Sequence, residues 1–426
     1  MLTVLLVVMI ALLLLSYPMM VPLLVAPLIA VLLFSGLDPM NLTQQIMSGI
    51  KPISLVAVPM FIFAADIITR GQAARRMIDL VLTFFGHIRG GLAITAVAAC
   101  TAFGAVSGSC QATVVAIGGT LRPRLIEDGY DPSFATALMV NSAGIALLIP
   151  PSISMIIYGV ATGTSVGELF IAGIGPGLLV FVVFSIYCYL AAGRMKGIKV
   201  KPKATWAERG REIKKSLLAL AFPVIVLGSI YAGLASPTEA SAVAVLYAFT
   251  LEVVICRNLN LKDIYRIALS TGLITGVVFI LVGAGAVFAW VISYAKIPNQ
   301  ILPPILGENP SPVHIMIVIS VSYFLVCMFV DSIVSIMILS PIFHSTVIAS
   351  GLDPVLVGVL VTMQAAIGAV SPPLGCNIFT AMAIFRQTYV DALRRIWGFL
   401  FAYGISIALI IAFPAIALFL RDLAFR

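Results

Sequence analysis

Apolar runs alternate with short polar stretches along the whole chain. A transmembrane helix needs about 20 predominantly apolar residues. The runs lie at 1–16, 18–35, 53–68, 90–120, 133–160, 167–191, 217–234, 237–256, 269–292, 312–348, 355–383 and 397–420. Their number and length predict an all-α polytopic membrane protein, because helices satisfy their backbone polar groups internally where lipid cannot.

Composition supports this class, and the placement of charge orients it. Of 426 residues, 61% are hydrophobic and 10% charged, whereas soluble domains carry roughly 25% charged residues. The formal charge of +8 lies in short loops, where it acts as a topology signal and indicates no nucleic-acid partner. The loop 194–215 holds nine Lys and Arg and is predicted to be cytoplasmic, whereas 296–311 holds only Lys296 and is predicted to be periplasmic.

Two apolar runs have flanking charges that place both of their ends on the same side of the membrane. The run 90–120 follows Arg89 and precedes Arg122, so both of its ends are predicted to be cytoplasmic. The run 312–348 is followed by no Lys or Arg until Arg386, so both of its ends are compatible with the outside. Both runs are predicted to be re-entrant hairpins, and 21 of the 25 basic residues then lie inside.

The segment GQAARRMIDLVLTFFGHIRGG at 71–91 is amphipathic. Arg75, Arg76 and Asp79 lie on one side of a helix, and apolar residues lie on the other. Such a helix is typical of an arm that lies along the membrane interface.

A Gly-x-Asp-Pro motif precedes a Pro-Pro pair by the same interval in both halves of the chain. Asp131 and Asp353 are 222 residues apart, and so are Pro150 and Pro372. Five predicted crossings separate the two copies, an odd number, so the copies face opposite ways. The sequence therefore predicts an inverted-topology repeat with two broken helices, an architecture typical of secondary transporters.

The same offset relates Ser109 to Asp331, so the two polar stretches are predicted to be equivalent hairpin tips. Carbonyl groups freed at such turns and at Pro-Pro can bind a cation. A hairpin tip that faces a broken helix, twice in the chain, predicts two polar clefts near the membrane midplane. Asp331 is interpreted as the one carboxylate well inside an apolar run, where an unpaired charge costs on the order of 3 kcal/mol, so cation binding or hairpin capping explains it. The candidate ion ligands are Ser107, Ser109, Asn141, Gly144, Pro150, Asp331, Ser332, Gly368, Ser371 and Pro373.

The same residues also have purely structural interpretations. Ser107 and Ser109 suit close helix packing as well as ion coordination, and polar residues beside Pro-Pro can be hydrogen bonds between helices. Glu239 in SPTEAS is interpreted as a helix cap, because Ser followed three residues later by Glu forms a capping box. An intramembrane enzyme is disfavoured, since the sequence has no HExxH motif and no histidine close to a candidate serine.

Four motifs occur in order along the chain: FGAVSGSCQATVVAIGG, GYDPSFATALMVNSAGIALLIPPSISMIIYG, PTEASAVAV and GAVSPPLGCNIF. With the two hairpins, they make essentially the whole chain resemble the large (M-type, DctM-like) membrane subunit of the TRAP transporters, the tripartite ATP-independent periplasmic family. The resemblance implies a multi-pass protein of the bacterial inner membrane that imports an organic acid, such as sialic acid or a C4-dicarboxylate, by a sodium-coupled elevator mechanism. On this interpretation the substrate contacts are Ser152, Gln364 and Asn377.

The resemblance also implies two protein partners, a separate small four-helix membrane subunit and a periplasmic substrate-binding protein. It implies no cofactor other than sodium as the coupling ion. Sodium is favoured over the proton because proton carriers use chains of Asp, Glu or His at membrane depth. The alternative is a stand-alone sodium–carboxylate symporter of the related two-hairpin type, which needs no binding protein.

These interpretations divide the chain into five parts. They are N-terminal scaffold helices and the interfacial arm at 1–89, a first transport repeat at 90–191 with its broken helix at 133–160, the basic loop and scaffold helices at 192–311, a second transport repeat at 312–396 with its broken helix at 355–383, and a C-terminal helix at 397–426.

Topology gives the first testable prediction. In Thr205→Cys, the new thiol should be protected from a membrane-impermeant reagent in intact cells and should react after permeabilisation, because the basic loop is predicted to be cytoplasmic. Asn299→Cys is the matched control and should react in intact cells. Preferential labelling of position 205 from outside contradicts the topology.

Overall fold

A computed structural model describes residues 1–36, 38–195, 197–200, 202–307 and 310–425. Every regular element in these residues is helical. Three basic residues used in the topology prediction, Lys196, Lys201 and Arg426, lie outside the described residues.

The helices fall into four consecutive groups. The N-terminal group is Leu2–Leu14 (α1), Met20–Phe34 (α2), Met40–Ile50 (α3), a 3-10 turn at Ile53–Val56, Ala57–Arg70 (α4) and Ala73–Phe85 (α5). The first series is Gly91–Ser107 (α6), Cys110–Thr113 (α7), a π-helical turn at Val114–Gly118, Gly119–Glu127 (α8), Pro132–Ala143 (α9), a 3-10 turn at Gly144–Leu147, Ile153–Thr162 (α10) and Val166–Arg194 (α11).

The remaining helices follow the basic loop. The middle group is Trp206–Tyr231 (α12), Pro237–Phe249 (α13) with a π-helical extension at Thr250–Ile255, Leu261–Tyr294 (α14) and Pro298–Leu306 (α15). The second series is Pro312–Cys327 (α16), Ser332–Ala349 (α17), Pro354–Gly368 (α18), Cys376–Phe385 (α19), Tyr389–Leu393 (α20), Trp397–Ala412 (α21) and Ala415–Ala424 (α22).

Six helical segments within the described residues are long and apolar enough to cross a membrane, and seven if α21 and α22, bent by 57°, form one span. The six are Ile53–Arg70, Val166–Arg194, Trp206–Tyr231, Pro237–Ile255, Leu261–Tyr294 and Ser332–Ala349. This result confirms the predicted class of polytopic helical membrane protein. The long helix α14 exposes Leu269, Leu273 and Val277, which suits a surface that contacts lipid.

Matched acidic and hydroxyl caps begin the equivalent helices of the two series. Ser109 caps α7 and Asp331 caps α17, so the predicted tips both stand at helix N-termini. Asp131 caps α9 and Asp353 caps α18, each followed by proline at the first helical position. A cap oxygen accepts a hydrogen bond from one of the backbone N–H groups that lack a partner at a helix start. The two series therefore begin their helices by the same local rule at the same offset.

Each predicted broken helix is interrupted at its Pro-Pro pair. The first interruption separates α9 and its 3-10 turn from α10 and contains a cis Pro150–Pro151 peptide bond. The second separates α18 from α19 and contains a cis Pro372–Pro373 peptide bond. Proline lacks a backbone donor and cannot continue the helical ladder.

Aromatic packing joins α11 to α21, and α21 in turn contacts the end of α9 before the first interruption. The ring of Phe184 on α11 lies 5.3 Å from the Phe399 ring and 4.8 Å from the Tyr403 ring, both on α21. The Tyr403 hydroxyl donates a 3.2 Å hydrogen bond to the carbonyl oxygen of Asn141 at the end of α9. A carbonyl near the helix break thus obtains a partner from another helix, as a backbone group in an apolar environment requires.

Two local predictions can be compared with the structure directly. Glu239 forms a capping box with Ser236 at the start of α13, which confirms its interpretation as a cap. The amphipathic arm is helix α5, and it buries Met77 and Ile78. It packs on α12, where the Ser216 hydroxyl donates to the carbonyl oxygen of Arg76 at 3.0 Å. The arm therefore packs against protein, on α12, in addition to having the amphipathic pattern of an interfacial helix.

The turn between α6 and α7 depends on Gly108, which generates a stability prediction. Gly108 has φ +58°, and an added Cβ would overlap the carbonyl oxygen of Pro151. Gly108→Ala should therefore lower the free energy of unfolding by about 1–3 kcal/mol, seen as a lower thermal midpoint of the purified protein. Gly119→Ala is the matched control, since nothing lies within 4 Å of its Cβ position. Equal midpoints for the two variants contradict this account of the turn.

Candidate functional site

The two hairpin tips line one cavity of about 370 Å³. Ser109 and Gln111 come from the first tip, Asp331 and Ser332 from the second, and Ser154 from α10. The opposite wall is apolar and consists of side chains from α4 and α14, namely Ile62, Ile274 and Val278. The sequence predicted two polar clefts, one for each tip, whereas the structure brings both tips to a common cavity.

The hydroxyl groups of Ser107 and Ser109 make different hydrogen bonds within the first tip. The buried Ser107 hydroxyl lies 3.1 Å from that of Thr113, and Thr113 also donates to the Ser109 carbonyl oxygen at 2.8 Å. Ser109 caps α7 by accepting from the Ala112 N–H and lies on the cavity wall. Ser107 therefore braces the turn, and Ser109 presents an oxygen to the cavity.

The second tip supplies the one formal charge among the described residues that line this cavity. Asp331 Oδ1 accepts a 2.9 Å hydrogen bond from the Ile333 N–H, which caps α17. The side chain remains exposed to the cavity, and the described lining residues include no basic side chain. The arrangement offers a second carboxylate oxygen to a cation, and hydrogen-bonded capping and cation binding are compatible roles for the same side chain.

Contacts across the cavity join each tip to the broken helix of the other series. The Ser154 hydroxyl on α10 donates to the Ser332 hydroxyl at 3.4 Å. The Gln111 amide nitrogen donates to Cys376 Sγ on α19 at 3.2 Å. These polar contacts lie where the helices are interrupted, so the two series form one site at their junction.

The candidate ligands on the first broken helix are buried. Asn141 Nδ2 donates to the Ala137 carbonyl oxygen at 2.7 Å, while its Oδ1 is buried without a hydrogen-bond partner among the described residues. The neighbouring Ser142 Oγ is in the same situation. Gly144 faces the Tyr403 hydroxyl, and Pro150 is buried in the interruption. Two oxygens without partners beside a helix break suit a cation, because a buried polar atom needs a partner.

The candidates on the second broken helix have mostly local partners. The Ser371 hydroxyl donates to the Ile367 carbonyl oxygen at 2.6 Å. The Gly368 position faces Cys327, where an added Cβ would meet backbone atoms. Pro373 is exposed, and its carbonyl oxygen accepts from the Tyr389 hydroxyl at 2.8 Å.

The three predicted substrate contacts lie outside the wall of the tip cavity. Ser152 is buried and caps α10, and Gln364 is buried within α18. Asn377 is buried and donates through Nδ2 to the Val140 carbonyl oxygen at 3.2 Å, a link between the two interruptions. Their role in substrate binding stays a prediction.

Sequence reasoning missed several polar residues in the membrane-spanning part. Gln111 and Ser154 line the tip cavity, and the only available signal was their position beside a tip or a Pro-Pro pair. Asp331 is also not the only carboxylate in an apolar run, so that interpretation was wrong. Asp66 on α4 accepts from the Thr271 hydroxyl at 3.2 Å, and the buried Glu252 accepts from Asn258 Nδ2 at 2.8 Å.

Residues 6–416 match the family described as "Tripartite ATP-independent periplasmic transporter, DctM component". The ectoine TRAP transporter large permease protein TeaC of Halomonas elongata is 56% identical over 426 residues, which is 100% of each chain. The ectoine/5-hydroxyectoine TRAP transporter large permease protein UehC of Ruegeria pomeroyi is 56% identical over 420 residues, 98% of each chain.

The fold is similar to that of a solved transporter. The YdaH transporter of Alcanivorax borkumensis superposes with a TM-score of 0.64 over 88% of each chain, at 14% sequence identity. At that identity the likeness concerns the fold alone. Taken with the family match over most of the chain, these findings identify a membrane permease of the bacterial inner membrane rather than an enzyme: the chain belongs to the TRAP transporter large permease family.

Proposed function

We propose that this protein is the large permease of a sodium-coupled TRAP transporter that imports ectoine. The observation that carries the proposal is the tip cavity, whose described lining presents one carboxylate, Asp331, and no basic side chain. A C4-dicarboxylate brings two negative charges, and a cavity of this kind offers no side-chain cation to balance them. Ectoine is a zwitterion, with a cyclic amidinium and a carboxylate, and adds no net charge.

The similarity to two permeases named for ectoine supports the same substrate class. The sequence alone suggested sialic acid or a C4-dicarboxylate as the organic acid. Ectoine retains the expected carboxylate but adds a cationic group, and this addition suits a cavity whose single charge is negative.

Sodium coupling is supported by the oxygens that the site leaves without partners. Asn141 Oδ1 and Ser142 Oγ are buried and unpaired among the described residues, and Ser109 and Asp331 present further oxygens to the cavity. Hydroxyl, amide and carboxylate oxygens at broken helices are ligands for a hard monovalent cation. Asp66 and Glu252 do not line this cavity and have hydrogen-bond partners in the scaffold, so neither argues for a proton pathway through the site.

An inverted repeat with an elevator motion accounts for the arrangement of the helices. The two series have the same order of tip, acidic cap and cis Pro-Pro interruption. The wall opposite the tips is formed by apolar side chains of α4 and α14, which make no directional bonds and can slide. Helix α17 is long enough to cross a membrane, but its N-terminus lies inside the tip cavity, as expected for one arm of a re-entrant hairpin.

The family description as a tripartite periplasmic transporter supports two partners. We expect a small four-helix membrane subunit to join the scaffold helices and a periplasmic substrate-binding protein to deliver ectoine. The stand-alone symporter, the alternative that the sequence left open, is disfavoured by membership of a tripartite family.

Uptake into proteoliposomes tests the proposal. The permease, small subunit and binding protein should together take up ectoine when sodium is high outside, and omission of any one component should abolish uptake. Sialic acid and succinate, offered through the same binding protein, are the comparison substrates. Uptake of either in preference to ectoine contradicts the proposed substrate, and equal uptake driven by a pH gradient in sodium-free buffer contradicts the coupling ion.

Substitutions at the tips test the ion site within that assay. Ser109→Ala removes one oxygen, and the apparent sodium affinity should fall by roughly 5- to 30-fold, as expected for a loss of about 1–2 kcal/mol. Asp331→Ala should have a larger effect because it removes the balancing charge, and Asp331→Asn should lie between the two.

The matched control for the tip variants is Asp38→Ala. Asp38 Oδ1 accepts from the Met40 N–H at 2.9 Å, the same type of bond that Asp331 makes, but it is exposed and outside the cavity. Its sodium dependence should equal that of the wild type. Unchanged sodium dependence in Asp331→Ala means that the aspartate only caps its helix.

A further inference from the structure

A second cavity, of about 520 Å³, is lined by α14 and α17, the same two helices that contribute to the tip cavity. On α14, the tip cavity ends at Val278 and the second cavity begins at Ala286, eight residues or roughly 12 Å along the helix. On α17, the second cavity extends from Met337 to Ser345. We call this second cavity the outer cavity, because α14 leads from it into the stretch predicted to be periplasmic.

A tight contact separates the two cavities. An added Cβ on Gly285 would lie 2.6 Å from the Cβ of Met337, so the two helices touch through a residue that has no side chain. Met337 also lines the outer cavity. Movement of α17 along α14 would displace this contact.

The lining of the outer cavity is largely apolar with a minority of polar side chains, and none of the described lining residues is formally charged. Its described lining includes Gln45, Ser48 and Ser293 from the scaffold and His344 and Ser345 from α17. His344 Nδ1 is buried and has no hydrogen-bond partner among the described residues. A neutral lining disfavours an ion with net charge and favours a solute without net charge, which brings its own donors and acceptors.

Trp290 supplies an aromatic surface in the same cavity. Its ring stacks on Tyr294 with centroids 5.6 Å apart and planes 18° apart, which holds the indole in place. The face of an indole attracts delocalised cations. An aromatic surface beside neutral hydrogen-bonding groups is the chemistry that recognises a cyclic cation that also carries a carboxylate. The cavity volume lies within the range of ordinary small-molecule sites.

We propose that the outer cavity is a second solute-binding site, which takes a compact zwitterion with a delocalised cation and a carboxylate before the solute reaches the tips. The cation stacks on Trp290, and the carboxylate accepts hydrogen bonds from the imidazole of His344 and the neighbouring hydroxyl groups. With ectoine as the solute, the inference rests on the proposed function. It assigns to Trp290 and His344 a recognition role at a place separate from the tips.

The test combines transport with a binding measurement that needs no transport. In the reconstituted three-component system, Trp290→Leu should raise the KM for ectoine by roughly 2- to 30-fold, the range expected for a lost cation–π contact. Trp290→Phe should raise it less, because a ring remains. Trp206→Leu is the matched control: Trp206 is exposed at the start of α12, far along the chain from the cavity, and its KM should not change.

Tryptophan fluorescence of the purified permease with its small subunit provides the second readout. Ectoine should quench the wild-type complex more than the Trp290→Phe complex, and this difference should persist in Asp331→Ala. Loss of the difference in Asp331→Ala would mean that the indole reports only the tip cavity and would overturn the proposal. Unchanged KM in Trp290→Leu, in a system that transports ectoine, would also overturn it.

These readouts separate the two proposals. If the wild-type system does not take up ectoine but ectoine still quenches Trp290, the proposed substrate of the transporter is wrong and the outer site stands. If uptake occurs without any Trp290-dependent quenching, the proposed function stands and the outer site is wrong.

Discussion

The need to satisfy helix ends inside an apolar environment governs this structure. An uninterrupted membrane helix pairs its own backbone groups, but a tip or a Pro-Pro interruption leaves donors and acceptors that lipid cannot satisfy. Ser109 and Asp331 satisfy such donors by capping the helices that begin at the tips. The Tyr403 hydroxyl and the Asn377 amide, on other helices, donate hydrogen bonds to carbonyl oxygens at the end of α9.

Oxygens that are not satisfied in this way become available for function. At the first interruption, Asn141 Oδ1 and Ser142 Oγ are buried and have no partner among the described residues. An unpaired buried acceptor costs about 1–3 kcal/mol, a cost that the proposed cation would offset. The same physical constraint that requires caps at the tips thus leaves, at the first interruption, oxygens of the kind that the proposed sodium site needs.

Local sequence rules predicted much of the scaffold of this site. The apolar runs, the Ser236–Glu239 capping box and the Pro-Pro interruptions follow from interactions within about one helical turn. The equivalence of Ser109 and Asp331 followed from a constant offset, and both residues cap helices at the tips. The prediction of separate clefts did not hold, because the distance between the two tips depends on tertiary packing and not on the sequence around either tip. Asp66 and Glu252 were overlooked although both lie inside apolar runs, at 53–68 and 237–256. Their distant partners, Thr271 and Gln72, come from other parts of the fold and do not follow from any local pattern.

The sequence by itself determined the membrane class, the helix starts and interruptions, and the repeated order of tip, acidic cap and Pro-Pro. Each of these depends on residues that are neighbours in the chain. Only the tertiary structure decided that Ser154 contacts Ser332 and that Gln111 contacts Cys376, pairs that are 178 and 265 residues apart. It also decided that one cavity holds both tips and that Gly285 meets Met337 beyond it. Such contacts depend on how whole helices pack, and side-chain volume and helix orientation are set together by every neighbour rather than by any local pattern.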